Sequence, residues 1–144
     1  MMRRRQIIIA FLVVIIVSAL FWWHDFHIGR IERRYLEAIE NSATRLSAAS
    51  GISQEEKLEL LHRTEVEFNE SIFGLAQEFE KIQFRILPGY KLSRLKGLIK
   101  KELEFSTRRS QIYGNNKNYL SKEEIEMLHS IHGKTEDVRK SYFD

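Results

Sequence analysis

The chain has 144 residues, 30% of them charged, no cysteine and a formal net charge of +3. Without cysteine there is no thiol nucleophile, no Cys-ligated zinc, no CxxC haem attachment and no lipoprotein acylation. Arg3, Arg4 and Arg5 account for the whole charge excess, so the remainder is nearly neutral and no nucleic-acid partner is expected.

The first element is an apolar helix. From Ile7 to Trp23 no residue is charged, and at about 1.5 Å per residue this run is roughly 26 Å long, just short of a hydrocarbon core. Its ends complete the span: Arg3, Arg4 and Arg5 reach headgroups on one side, and Phe21, Trp22, Trp23 and Phe26 form an aromatic belt on the other. The arginines precede the apolar run. By the positive-inside rule the N-terminus stays in the cytoplasm and residues 28–144 cross the membrane, although Arg30, Arg33 and Arg34 pull the other way. Val17-Ser18-Ala19 would suit a signal peptidase, but the apolar run continues past it with no polar region before the site. The expected arrangement is therefore an uncleaved anchor, residues 1–27, in a bacterial inner membrane, with residues 28–144 as a domain in the periplasm.

That domain reads as all-α. One Pro and seven Gly leave little punctuation, and no period-two run follows residue 27. The anchor is expected to continue outward as a helix over 28–50, with Ile28, Ile31, Tyr35, Ile39 and Leu46 inward and Gly51 as its stop. A second helix, 53–87, starts at Ser53 with Glu56 closing a capping box. It carries the candidate interaction seam Leu58, Leu61, Phe68, Ile72, Leu75, Phe79, Ile82 and Ile86, interrupted at Glu65. Pro88-Gly89 should end it. A third helix is expected over 91–112, with Leu92, Leu95, Ile99 and Leu103 inward, then a loop at 114–118. A fourth, over 121–132, repeats the capping box at Ser121 and Glu124 and stops at Gly133, with a short helix over 135–142. Together these give an antiparallel helical hairpin or small bundle.

Charge is segregated between the central helices: residues 51–81 hold eight acids against three Lys/Arg, and 91–109 hold seven Lys/Arg against two acids. A hairpin would set these faces side by side. Alternatively Lys91, Arg94, Lys96, Lys100 and Lys101 form a patch for anionic headgroups or an acidic partner.

Metal chemistry would fall to the histidines. His129 and His132 are three apart on one helical face, with His62 as a further ligand if the fold brings it near, so a divalent transition metal is the one cofactor these residues suggest. The competing reading is that both histidines simply suit the last helical turn before Gly133. His24 and His27 share their own spacing but belong with the interfacial Trp22 and Trp23. No glycine elbow, phosphate loop or HExxH is present, and the acids fall on helix faces expected to be solvated, so no enzyme is expected.

Two helix starts are alike: ISQEEKLELLH from Ile52 and LSKEEIEMLH from Leu120. In an anchored chain of this length the pair resembles the periplasmic helical proteins of the Spy and CnrX kind, marked by two apolar-Thr/Ser-Pro-Glu-Gln helix starts. That resemblance implies a hooked hairpin and a role in metal sensing or stress chaperoning. The sequence departs from the pattern at Gln54 and Lys122, which stand for Pro, and at Glu56 and Glu124, which stand for Gln; residues 29–51 lack the His-x-x-x-His of the metal sensors. The composite expectation is a single-pass anchored interaction protein that binds other envelope proteins or itself.

Overall fold

The computed structural model describes residues 2–82, 90–116 and 118–144. The described residues form four helices: α1 Met2–Ser47, α2 Gln54–Lys81, α3 Tyr90–Asn115 and α4 Lys122–Phe143. At 46 residues α1 is unbroken and about 69 Å long, so one helix serves both the apolar stretch and the bundle.

That apolar stretch is long and apolar enough to cross a membrane, and the bundle covers almost none of it. Ile7, Ile8, Ile9, Phe11 and Trp22 are all more than half exposed. Burial starts at His24, 7% exposed and within a turn of Trp22, and is carried on by Ile28, Ile31 and Tyr35.

Cross-helix pairs give the topology. Arg34 and Arg45 of α1 pair with Glu78 and Glu67 of α2, so the two helices run antiparallel. Lys96 Nζ lies 3.0 Å from Glu80, and Asn69 donates to Thr107 at 2.9 Å, so α3 runs opposite to α2. Arg94 donates to the carbonyls of Ser141 and Tyr142, and Asn116 to Glu124 at 2.8 Å, which turns α4 back along α3. Tyr142 then donates to Glu32 of α1 and closes an up-down-up-down bundle. The charge-segregated faces of α2 and α3 thus meet as a hairpin; its turn at Pro88-Gly89 lies outside the described residues.

The core joins Ile28, Ile31 and Tyr35 of α1 to Phe68, Ile72, Leu75 and Phe79 of α2 and Leu95, Leu98 and Ile99 of α3. A smaller cluster of Phe105, Ile112 and Ile131 packs α4 against α3. Most of the predicted α2 seam is in this core: Leu58, Phe68, Ile72, Leu75 and Phe79 are buried, while Leu61 and Ile82 are half-buried. Ile86 lies outside the described residues. Phe73 is 52% exposed, on the side of α2 away from the core.

Helix ends depart from the sequence expectation in four places. First, α1 ends at Ser47, before a turn that closes at Gly51, whose φ of 95° suits a residue without Cβ; Leu46 is exposed rather than inward. Second, α2 ends at Lys81 with an extended C-cap at Ile82, and residues 83–87 of the expected helix lie outside the described residues. Third, α3 runs on through Gly114 to Asn115, where the Asn116 amide caps the Ile112 carbonyl at 2.7 Å. Fourth, α4 does not stop at Gly133. A helical glycine costs about 1 kcal/mol relative to alanine, and burial of Ile131 and Thr135 on either side of it, with Val138 and Tyr142 packed on the core, outweighs that. Both capping boxes formed as expected, Ser53 with Glu56 and Ser121 with Glu124.

Candidate functional site

The most developed polar constellation lies inside the bundle and includes Glu65 and Glu102, two of the acids expected on solvated faces. The Glu102 side chain is 1% exposed. It accepts from the Tyr35 hydroxyl at 2.7 Å and from Arg139 through Nε at 3.1 Å and Nη2 at 3.0 Å, while Arg109 Nη2 stands 3.4 Å away. Arg109 continues the chain: Nε donates to Glu65 at 3.0 Å and Nη1 to the Thr135 hydroxyl at 3.0 Å, which itself donates to the Ile131 carbonyl. Tyr35 lies on α1, Glu65 on α2, Glu102 and Arg109 on α3, and Thr135 and Arg139 on α4. One connected network therefore ties all four helices together.

Its electrostatics follow from closeness and dryness. Burial, reinforced by the Glu102 charge and hydrogen bond, pushes the Tyr35 phenol well above its ordinary value. Burial opposes the Arg139 charge, but Glu102 and Tyr35 together outweigh it and hold the guanidinium above its ordinary value. Both Glu102 oxygens are already taken up by donors. Chemically the arrangement is a brace: such a network specifies one packing, because any shift of a helix would strand a buried charge.

Glu65 marked the break in the α2 seam, and the break turns out to be the partner of Arg109. The expectation that the acids all lie on solvated faces is corrected here: Glu102 and Glu65 turn inward because two arginines on facing helices supply their counter-charge. A readable signal existed, since Glu102 and Arg109 continue the inward positions of Leu95, Leu98 and Ile99 at helical spacing.

The three metal-candidate histidines do not converge. His129 and His132 point outward from α4, both exposed, whereas His62 on α2 packs its ring against α3 at Gly114. Among the described residues no three of His, Asp and Glu are grouped as a metal ion would require. Of the basic residues on α3, Arg94 turns toward the C-terminal end of α4, while Lys91, Lys96, Lys100 and Lys101 stay exposed.

Two clefts lie at opposite ends of the bundle. Near the apolar stretch, Trp23, His27, Arg30, Glu78 and Lys81 line a space of about 200 Å³ between α1 and α2. At the far end a larger one, about 530 Å³, opens between the first turns of α2 and the last of α3, with Glu55, Glu56, Glu59, His62, Tyr113 and Asn116 on its walls. Burial raises the Tyr113 phenol above its ordinary value. No family model matches the chain, and no curated protein and no solved structure matches it either.

Proposed function

We propose that this chain is a single-pass membrane-anchored scaffold whose helical bundle stands outside the cytoplasm, in the periplasm of a bacterium, and works by holding other envelope proteins or a second copy of itself. The observation that carries this reading is the continuity of α1. The same helix that presents a bare apolar surface over residues 7–22 supplies Ile28, Ile31 and Tyr35 to the core, with no break between them. A bundle built on such a helix has its height and orientation above the bilayer held firm. The closed ion network supports the same reading, since a support must keep one shape when partners pull on it.

Orientation rests on Arg3, Arg4 and Arg5 preceding the apolar run. Alkaline phosphatase fused after Asp144 should be active and a cytoplasm-dependent fluorescent protein at the same place dark; the opposite pattern would reverse the topology. Crosslinking the full chain in its native membranes tests the scaffold itself. Discrete adducts with other proteins or with a second copy are expected, and a chain recovered only as monomer sinks the reading.

A further inference from the structure

A further cleft, of about 180 Å³, is lined by α2 and α3 alone. Glu67 and Glu78 point α2 toward α1, and Phe105 and Ile112 point α3 toward α4, so Ala76 and Lys100 in this groove look out from the other side of the hairpin. Its floor is apolar: Ala76, Phe79, Ile99 and Leu103. Glu80, Lys96 and Lys100 are exposed at its rim, and Lys96, 3.0 Å from Glu80 and 5.9 Å from the centre of the Phe79 ring, closes the end nearer the apolar stretch. Beside the groove stands Phe73, 52% exposed, on the same stripe of α2 as Gln77 and Glu80.

Phe73 and the groove lie at one height. Asn69 bonds Thr107, which sets these two level; Phe73 is four residues along α2 from Asn69, and Leu103 is four residues back along α3 from Thr107. Phe73 is therefore level with Leu103, and about 4.5 Å above Lys100 along the helix axis. The hole also has the size of the knob, since an apolar cavity of about 150 Å³ takes up benzene and this one is about 180 Å³.

Charge names the occupant. The outward stripe of α2 beside the groove carries Glu70 and Glu80 and no cation, because Arg63 turns to Glu67 and Lys81 lines the cleft toward α1. The facing stripe of α3 carries Lys96 and Lys100, and its one acid, Glu104, is already paired with Lys101 and Arg108. A foreign segment of one sign matches one stripe and is repelled by the other. Copies anchored in one membrane stand parallel, and a two-fold axis along the membrane normal keeps every residue at its height while setting α2 of each copy against α3 of the other. That single operation satisfies both stripes and brings each Phe73 to the other copy's groove. Confinement of the anchors to one bilayer raises the effective concentration of the pair.

We propose, resting on the anchored-scaffold reading and narrowing it to a second copy, that two chains pair through the outer face of the α2–α3 hairpin as a parallel two-fold dimer. Each Phe73 ring seats over Ala76, Ile99 and Leu103 of the other chain, and each Lys100 faces the other chain's Glu80.

The chain has no cysteine, so introduced thiols report cleanly. Two differently tagged full-length chains are co-expressed in native membranes, one with Gln77→Cys and the other with Lys100→Cys, and treated with a short bismaleimide. A mixed adduct is expected, lost when Phe73→Ser is added to both chains; Leu36→Cys, on α1, should give no adduct with its own copy. In nonionic detergent, sedimentation of the full chain should show a dimer whose Kd rises at least tenfold in Phe73→Ser and severalfold in Lys100→Glu, with unchanged circular dichroism spectra, while Met127→Ser on α4 leaves it as it was. Equal association of wild type and Phe73→Ser, or self-adducts at Leu36 in place of the mixed adduct, overturns this dimer and spares the scaffold. A photo-crosslinker at Phe73 completes the separation: adducts only with other proteins again overturn the dimer and spare the scaffold, and a chain that is monomeric in detergent and without any adduct in membranes overturns both.

Discussion

Replacing Glu102 by Gln tests the brace most directly. The carboxylate is 1% exposed and stands within hydrogen-bond range of one hydroxyl and two guanidinium groups. A carboxamide offers one acceptor and one donor group, so at least one guanidinium donor would face another donor, and the charge balancing two arginines would be gone. Breaking a buried ion pair by removing one partner costs about 3–5 kcal/mol. The low end applies, because Arg109 keeps Glu65 at 2.9 Å and Arg139, whose side chain is 21% exposed, keeps Glu136 at 3.5 Å and some access to water. With an unfolding entropy of about 2.1 cal/mol/K per residue over roughly 117 bundle residues, about 3 kcal/mol lowers Tm by about 12 °C. Circular dichroism melts of the full chain in nonionic detergent measure this. Added salt should change the shift little, since buried pairs are poorly screened. The triple replacement Tyr35→Phe, Glu102→Leu and Arg139→Met, which removes the charge with two of its three partners and leaves Arg109 paired to Glu65, should recover most of the loss. A Glu102→Gln protein melting within about 2 °C of wild type would refute the reasoning, and a triple variant no better than the single one would assign the loss to packing instead.

Four further outcomes follow from the structure. Gly133→Ala should raise stability by about 1 kcal/mol, since it is helical with nothing within 4 Å of a new Cβ, whereas Gly51→Ala should lower it because its φ is 95°; urea titrations of the two variants should move in opposite directions. Ser53→Ala and Ser121→Ala should each cost about 1 kcal/mol as lost N-caps. The Glu56 carboxyl, bonded to the Ser53 backbone and side chain, and the Glu124 carboxyl, bonded to the Asn116 side chain and to Ser121, sit below their ordinary value of 4.5. Their contribution is therefore complete above about pH 4.5 and lost as pH falls through the lowered folded-state values, so Glu56→Gln/Glu124→Gln should flatten the acid limb of a melting-temperature profile. At the other extreme, burial raises the phenols of Tyr35, Tyr113 and Tyr142 above 10. These groups favour the fold fully below pH 10, and that contribution fades as pH climbs through their raised values. Absorbance titration should show three tyrosines ionising late, one fewer in Tyr35→Phe; all five ionising together near pH 10 would contradict it.

Local chemistry in the sequence was enough for the apolar span, the two capping boxes, the turn at Gly51 and most of the α2 seam. Each of these depends on neighbours within a few positions: a run of uncharged residues, a Ser three before a Glu, apolar side chains at steps of three and four. Helix ends governed by distant partners were read less well. Gly133 looks like a stop until the packing of Ile131, Thr135 and Tyr142 is known, and Gly114 looks like loop until Asn116 caps the turn behind it. The brace is the clearest case. In sequence Glu65 is a flaw in an apolar stripe, and Glu102, Arg109 and Arg139 are three of many charges on amphipathic helices. Only the bundle brings them within 3.4 Å of one another in series, because burial of an ion is decided by what the facing helix supplies. The same holds for the acidic distal cleft, whose carboxylates come from α2 and whose aromatic wall comes from α3. Sequence alone determined where the chain is apolar, where its helices begin and how its charge is shared out; tertiary structure decided which charges are buried and paired, because pairing energy depends on distances between segments far apart in the chain.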